Sequence, residues 1–235
     1  MKKILFSLVA LVCSMSMNAQ VMKVMKGNVV VATYTADQAD NVVFEEAQGS
    51  TTTGTAKATI GDSEVDVNWV QLWAGGPKFA EFNVGAANNK AEDYGGYYAW
   101  GGSQDKVDDH NTGTVDLKDD ADTATKLWGS NWRMPTKAEL DDLLANCDVA
   151  WTTVNGVNGR KFTGKGDYAS NSVFLPAAGG CYSGNVGDQG DYGGYWSSTP
   201  AGSGSAYLLY FSSGFQDVSY DDRDFGCSVR LVLAE

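Results

Sequence analysis

Trp132-Arg133-Met134-Pro135-Thr136-Lys137-Ala138-Glu139-Leu140 carries the strongest local signal in the chain. Thr136 and Glu139 stand at the S/T-x-x-E spacing of a capping box, in which the two side chains satisfy orphan amides at a helix start. Leu140, Leu143, Leu144 and Cys147 then recur at i, i+3, i+4 and i+7, so this helix turns one apolar face to a core. Upstream, a shorter helix is expected from about Asp120 to Trp128, capped by Asp119 or Asp120 and stopped at Gly129. Downstream, strands are expected at Tyr195–Ser198, Ala206–Phe211, Phe215–Tyr220 and Phe225–Leu233, separated by Gly, Ser, Pro and Asp clusters. In the last of these Phe225, Cys227, Val229, Leu231 and Leu233 share one face, the expected core side, with Arg230 on the other. Residues 101–119 and 177–194 read as ordered loops or functional surface.

The start of the chain has its own pattern. Lys2 and Lys3 precede an apolar run, Ile4 to Val12, and a small-residue exit ending at Ala19. The run is too short to span a bilayer, so residues 1–19 read as a secretory signal peptide. The alternative is a lipid anchor through Cys13, but Val12 stands where a small residue is expected. Residues 20–47 read as a small β-rich module: a hairpin around Gly27-Asn28, one helical turn near Thr35–Gln38, and a third strand at Asp40–Phe44. The polar segment 48–59 reads as a flexible linker, and residues 60–235 as the main domain.

The formal charge is −12, and the signal holds lysines but no acids, so the rest is more acidic still. Such a balance repels phosphate backbones, and nucleic acid is not an expected partner. No later segment is apolar enough to span a membrane. Four cysteines occur without a C-x-x-C, and the single histidine, His110, rules out a His-based metal cluster.

A series of motifs runs through the main domain in order: Trp69-Val70-Gln71-Leu72-Trp73, Phe82-Asn83-Val84-Gly85-Ala86 and Asp93-Tyr94-Gly95-Gly96-Tyr97-Tyr98-Ala99-Trp100-Gly101. The Trp132–Leu140 stretch, Phe174-Leu175-Pro176-Ala177-Ala178-Gly179, Tyr195-Trp196-Ser197-Ser198-Thr199 and Ser228-Val229-Arg230-Leu231 follow. Over residues 65–235 this series resembles the Fibrobacter succinogenes major paralogous domain family, common in exported proteins of Bacteroides-like bacteria. The resemblance implies an α+β, C-type-lectin-like domain: two helices, a small mostly antiparallel sheet and extensive loops, similar to formylglycine-generating enzymes and to retroelement-diversified variable proteins. It also implies a binding face built from the loops between the last strands.

Two loops have the composition of an adaptable recognition surface, aromatic area beside flexible hydrogen-bonding groups. One offers Tyr182, Asn185, Asp188, Gln189, Asp191 and Tyr192; the other offers Ser219, Tyr220, Asp221, Asp222, Arg223 and Asp224. The expectation is that both lie at one end of the sheet and bind a protein or glycan; the same composition suits solvated turns. It also suits diversification by a retroelement, as the variable relatives imply. Calcium is a weaker expectation. Asp188, Asp191, Asp221, Asp222 and Asp224 supply hard oxygen ligands, but the sugar-binding tripeptides and the Trp-Asn-Asp segment of calcium-dependent lectins are missing, and no metal ligand is assigned. A second acidic set, Asp105, Asp108, Asp109, Asp119, Asp120 and Asp122, reads as a solvated loop and helix start.

No catalytic residue is assigned, and the chain reads as a non-enzyme. The reactive cysteine pair of the formylglycine-generating relatives has no match here. Cys147 and Cys227 fall on apolar faces, as buried thiols or a helix-to-strand disulfide, leaving Cys181 over. His110 has no nucleophile in a recognisable motif beside it. The tryptophans embedded in the motifs read as core rather than sugar platforms, and Arg133 and Arg230 as partners of buried or half-buried acids. The competing readings are an assembly protein, with the N-terminal module as its contact, and a divergent formylglycine-generating-type enzyme.

Overall fold

The computed structural model describes the backbone of residues 21–26 and 29–35 and the whole of residues 52–107 and 109–234. The expected signal segment 1–19, with Cys13, and the expected strand at 40–44 lie outside the described residues. The chain divides into two units, Met1–Ser50 and Thr51–Glu235. In the first, β1 (Val21–Lys26) and β2 (Val29–Thr35) pair antiparallel across Gly27-Asn28, with a register shift between Val24 and Met25. This is the hairpin that the turn pair before the β-branched run Val29–Thr35 predicts.

The second unit contradicts the expected α+β, C-type-lectin-like architecture. Strand accounts for 43% and helix for 12%, in four sheets, one of them a curled half-barrel, with only two helices. The fold is mostly β. β3 (Thr53–Ile60), β4 (Ser63–Gln71), β5 (Lys78–Ala80), β6 (Trp132–Arg133) and β15 (Val232–Leu233) form a sheet in the order β3-β4-β5-β15-β6. β3 therefore takes up most of the segment 48–59 expected as linker. β7 (Asp148–Val154), β8 (Val157–Thr163) and β9 (Ser172–Pro176) form a meander, and β10 (Gly180–Tyr182) with β11 (Asn185–Gly187) a short hairpin. β12 (Tyr192–Pro200), β13 (Ser205–Ser212) and β14 (Gln216–Asp222) complete the set as an antiparallel meander.

The helices are α1 (Thr123–Trp128) and α2 (Lys137–Asn146). The capping box of α2 forms as its spacing requires: Glu139 N donates to Thr136 Oγ1 at 3.2 Å and Thr136 N donates to Glu139 Oε2 at 2.8 Å. Arg133 donates to both carboxylate oxygens of Glu139, at 2.8 and 2.6 Å. α1 begins later than expected. Asp119–Ala121 first makes a 3-10 turn, and the cap is Asp122, which accepts from Ala124 N at 2.7 Å and from Met134 N at 2.9 Å.

β12 and β13 are buried on both faces, which explains the aromatic motifs. Along β12, Tyr195 enters a cluster with Leu140, Leu143, Phe162, Leu209 and Phe211. The next residue, Trp196, enters the opposite cluster with Trp100, Trp128, Trp132 and Leu208. Trp100, Trp128, Trp132 and Trp196 are all at most 2% exposed, so truncating any one to alanine costs about 3–5 kcal/mol. The motifs also hold one another through the backbone: Trp196 Nε1 donates to Tyr98 O, Trp100 Nε1 to Ser197 O and Ser198 N to Pro135 O, each at 2.8 Å.

The final segment keeps its predicted alternation with little regular strand. Cys227, Val229 and Leu231 sit in the Trp196 cluster, with Phe225 and Leu233 packed against it. Isolated bridges at Gly226, Cys227 and Ser228, hydrogen bonds from Val84 N to Val229 O and from Ala80 N to Leu231 O, and then β15 tie this segment to its neighbours. Among the described residues no helix is long and apolar enough to cross a membrane.

Candidate functional face

The β12-β13-β14 sheet keeps a regular register over Tyr192–Trp196 and along β13–β14, with a shift only between Trp196 and Pro200, so it sorts the residues of the two expected loops by face. Tyr195, Leu209 and Phe211 point into the α2 side, with Tyr207 and Tyr220 further along. Tyr192, Tyr210, Asp217, Ser219 and Asp221 share the opposite face with Trp196 and Leu208. There the inner residues lie under the tryptophan cluster, while Tyr192 and Tyr210 are half-buried and Asp217, Ser219 and Asp221 exposed. Tyr192 and Tyr210 meet in a tilted pair at 5.2 Å between ring centroids, and Tyr210 meets Phe215 at 6.2 Å. Phe215 is 49% exposed, a large apolar side chain ending a row of rings bordered by carboxylates.

Glycine brings the two segments together. A side-chain carbon at Gly180 would lie 2.5 Å from the Phe225 ring and 2.7 Å from Tyr192 Oη, so only a bare backbone lets those groups approach β10. Next to it, Cys181 and Gly226 exchange two backbone hydrogen bonds, both 2.8 Å. The phenol pKa of Tyr192 is raised, first by burial and then by neighbouring charges that include Asp188 from one segment and Asp221 from the other. The carboxyl pKa of Asp221 is itself raised, first by partial desolvation at the sheet surface and then by the negative charges of Asp222 and Asp224.

The expected contact residues thus separate into groups. Asp188, Tyr192, Ser219 and Asp221 border one face. Tyr182 and Asn185 flank the Ser183-Gly184 turn of the β10–β11 hairpin, with Tyr182 65% exposed. Asp191 is exposed in a turn closed by its own amide on Asp188 O, at 3.1 Å. Gln189 donates to Tyr97 Oη at 2.7 Å, and that hydroxyl donates to Ala178 O at 2.6 Å, an internal brace. Tyr220 and Asp222 alternate to the other face, where Tyr220 meets Tyr207 edge-on at 6.4 Å. Asp224 is exposed beyond the strand.

Arg223 is a correction. Expected among the ligand contacts, it is 1% exposed. Its guanidinium donates to Asn111 O, Gly113 O, Ser205 O and Gly202 O, at 2.9, 2.7, 3.1 and 2.5 Å, and lies 4.2 Å over the Trp100 ring. Arg230 departs from expectation similarly. Its hydrogen bonds go to Asn83 Oδ1 at 2.9 Å and to the carbonyls of Ala80 and Glu81, and the Glu81 carboxylate acts on it through charge alone. Arg160 does the same for the β13–β14 turn, donating to Ser212 O, Ser213 O and Phe215 O. That brace sets the backbone beneath Phe215.

Tyr210 and Phe215 belong to the face although neither expected loop, 180–194 or 216–224, contains them, and Asp217 lies within the second without having been singled out. The alternation of Ala206–Phe211 against the following strand was the signal that could have found them. Among the described residues no group of three or more His, Cys, Asp or Glu side chains stands close enough to hold a metal ion. Cys147 and Cys227 lie in different clusters, so the disulfide between them does not form, and both are buried thiols. Burial pushes the Cys147 thiol up to about 11 and the Cys227 thiol well above its usual value, which suppresses the reactive thiolate. Cys181 is buried on β10 beside Tyr97 and Ala178.

A family model described as Domain of unknown function (DUF8237) matches residues 143–232, from within α2 to β15 and including the whole face. Neither the curated proteins nor the solved structures give a match.

Proposed function

We propose that this chain is an exported, surface-associated or secreted binding protein that recognises a protein or glycan through the Tyr192–Tyr210–Phe215 face. The reading of export rests on the leader pattern of residues 1–19. The motif series of residues 65–235 supports kinship with the Fibrobacter succinogenes major paralogous domain. The observation that carries the function is the row of three rings, one of them half exposed, set among Asp188, Asp217, Ser219 and Asp221. Rings supply apolar contact area at low entropic cost, and the carboxylates and hydroxyl orient hydroxyl or amide groups of a ligand. The core lies beneath this row, so substitution at the exposed Phe215, Asp217, Ser219 and Asp221 need not open it, as diversification of the surface by a retroelement would require.

The test is binding of the full chain to arrays of glycans and extracellular proteins, beside a Phe215→Ala/Ser219→Ala double variant. Truncating an aromatic anchor costs at least about 2 kcal/mol, roughly thirtyfold in affinity. A ligand bound equally by parent and variant would refute the assignment.

A further inference from the structure

The edge strands β3 and β9 border a groove of about 600 Å³ whose lining includes Asn68 and Val70 of β4, Glu81, and Lys161 of β8. None of these residues belongs to the ring face. We propose that this groove binds a short neutral oligosaccharide.

Four features of the groove support that ligand. Its volume lies within the range of about 300–1,000 Å³ that takes small-molecule ligands. Its lining includes the apolar residues Trp69, Val70, Val173 and Phe174 beside polar ones, a mixture that suits the C–H faces and hydroxyls of sugar rings. Its charge is balanced: Glu81 and Lys161 are the two ionised groups on the lining, which favours neither anions nor cations. Its polar groups are prearranged. Asn68 Nδ2 donates to Glu81 Oε2 at 2.8 Å, and Glu81 N donates to Asn68 O at 2.9 Å, so side chains and backbone hold each other. The hydrogen-bonding capacity that this pair does not use is two acceptor oxygens and one amide hydrogen. Neighbouring sugar hydroxyls, each both donor and acceptor, match that set.

The groove is also tied across at Asn171. Its Nδ2 donates to Gln71 O at 2.8 Å and to Thr52 O at 3.5 Å, and Gln71 N donates to Thr52 O at 2.7 Å. These bonds fix Asn171 against the end of β3 and β4, so this part of the groove is set before any ligand arrives.

The experiment titrates the full, isotope-labelled chain with neutral disaccharides and trisaccharides, following backbone amides and the Asn68 and Asn171 side-chain amides by NMR. A sulfated disaccharide and an extended tetrapeptide serve as comparison probes. At least one neutral sugar should shift Asn68, Asn171 and Lys161 together. Its affinity should fall about tenfold or more in Glu81→Gln and in Asn68→Ala, with the backbone spectrum of each variant otherwise preserved. Phe215→Ala should leave this binding unchanged, which separates the groove from the ring face. The proposal is overturned if no neutral sugar moves these signals at millimolar concentration. It is equally overturned if sugar binding survives both variants intact, or if only the sulfated sugar or the peptide binds.

Discussion

Replacing Arg223 with alanine removes a guanidinium that joins three separate parts of the chain. Its donors reach Asn111 O, Gly113 O, Gly202 O and Ser205 O, and its plane lies 4.2 Å over Trp100. Hydrogen bonds from a charged donor contribute about 1.5–3 kcal/mol each, and a desolvated contact with an aromatic face about 2 kcal/mol. Against these stands the several kcal/mol recovered when a buried cation no longer has to be desolvated. The net expectation for Arg223→Ala is a loss of about 3–5 kcal/mol, or roughly 6–20 °C in Tm for a domain of this size. Arg223→Lys keeps the charge but loses the planar fork, so it should fall between parent and alanine. Urea unfolding followed by tryptophan fluorescence measures all three, with Trp100 beside the substitution. If Arg223→Ala lies within about 1 kcal/mol of the parent, the side chain does not brace these loops and its assignment as a surface contact returns.

Other consequences can be measured in the same way. Asp122 is buried as the α1 cap, and desolvation lifts its carboxyl from 3.8 to about 6. The unfolded chain therefore releases this proton first, and the site's contribution to stability falls by roughly 3 kcal/mol as pH rises from about 4 to above 6. Glu139 has the opposite sign: its pKa is lowered by Arg133 and the Thr136 amide against the opposing effect of burial, so its contribution is lost as pH falls below the ordinary carboxylate range. Asp122→Asn should flatten the loss between pH 4 and 6 in urea titrations, and an unchanged slope would contradict the burial argument. Cys147 and Cys227 should resist iodoacetamide at pH 8 until the chain is denatured, as mass spectrometry of the labelled peptides would show; rapid native labelling would refute their burial. Gly193→Ala places a carbon 2.4 Å from the Phe211 ring and should cost about 1–3 kcal/mol in urea unfolding; a neutral result would mean the sheet yields there.

The parts of the fold legible in the sequence were those fixed by local chemistry. The α2 capping box needs only Thr136 and Glu139, and its periodicity marked Leu140, Leu143 and Cys147, all buried. The alternation from Phe225 to Leu233 identified the core side of a segment that hardly forms regular strand. The β7–β8 hairpin carried a usable signal too: Asn155 and Gly156 both have positive φ, 49° and 86°, as a tight two-residue turn demands. The fold class was not legible, because sheet membership depends on pairings far apart in sequence, such as Phe79 with Val232. The face was half legible. Glycine and tyrosine content pointed to Tyr192 and Ser219, but which side each residue takes is set by register with β13, which also brings in Tyr210. Arg223 was misread for a related reason: a charged residue in an acidic loop reads as solvated, and the carbonyls that bury it lie up to 112 positions away.

The central claim is that segments around Asp188–Tyr192 and Phe215–Asp221 act as one binding face. Hydrogen–deuterium exchange of the full chain, with and without a ligand retained from the arrays, tests it most directly. The account predicts slowed exchange in both segments at the same ligand concentration, with α1 and the 101–113 loop unchanged. Protection confined to the β10–β11 turn, or absent from both segments, would contradict it.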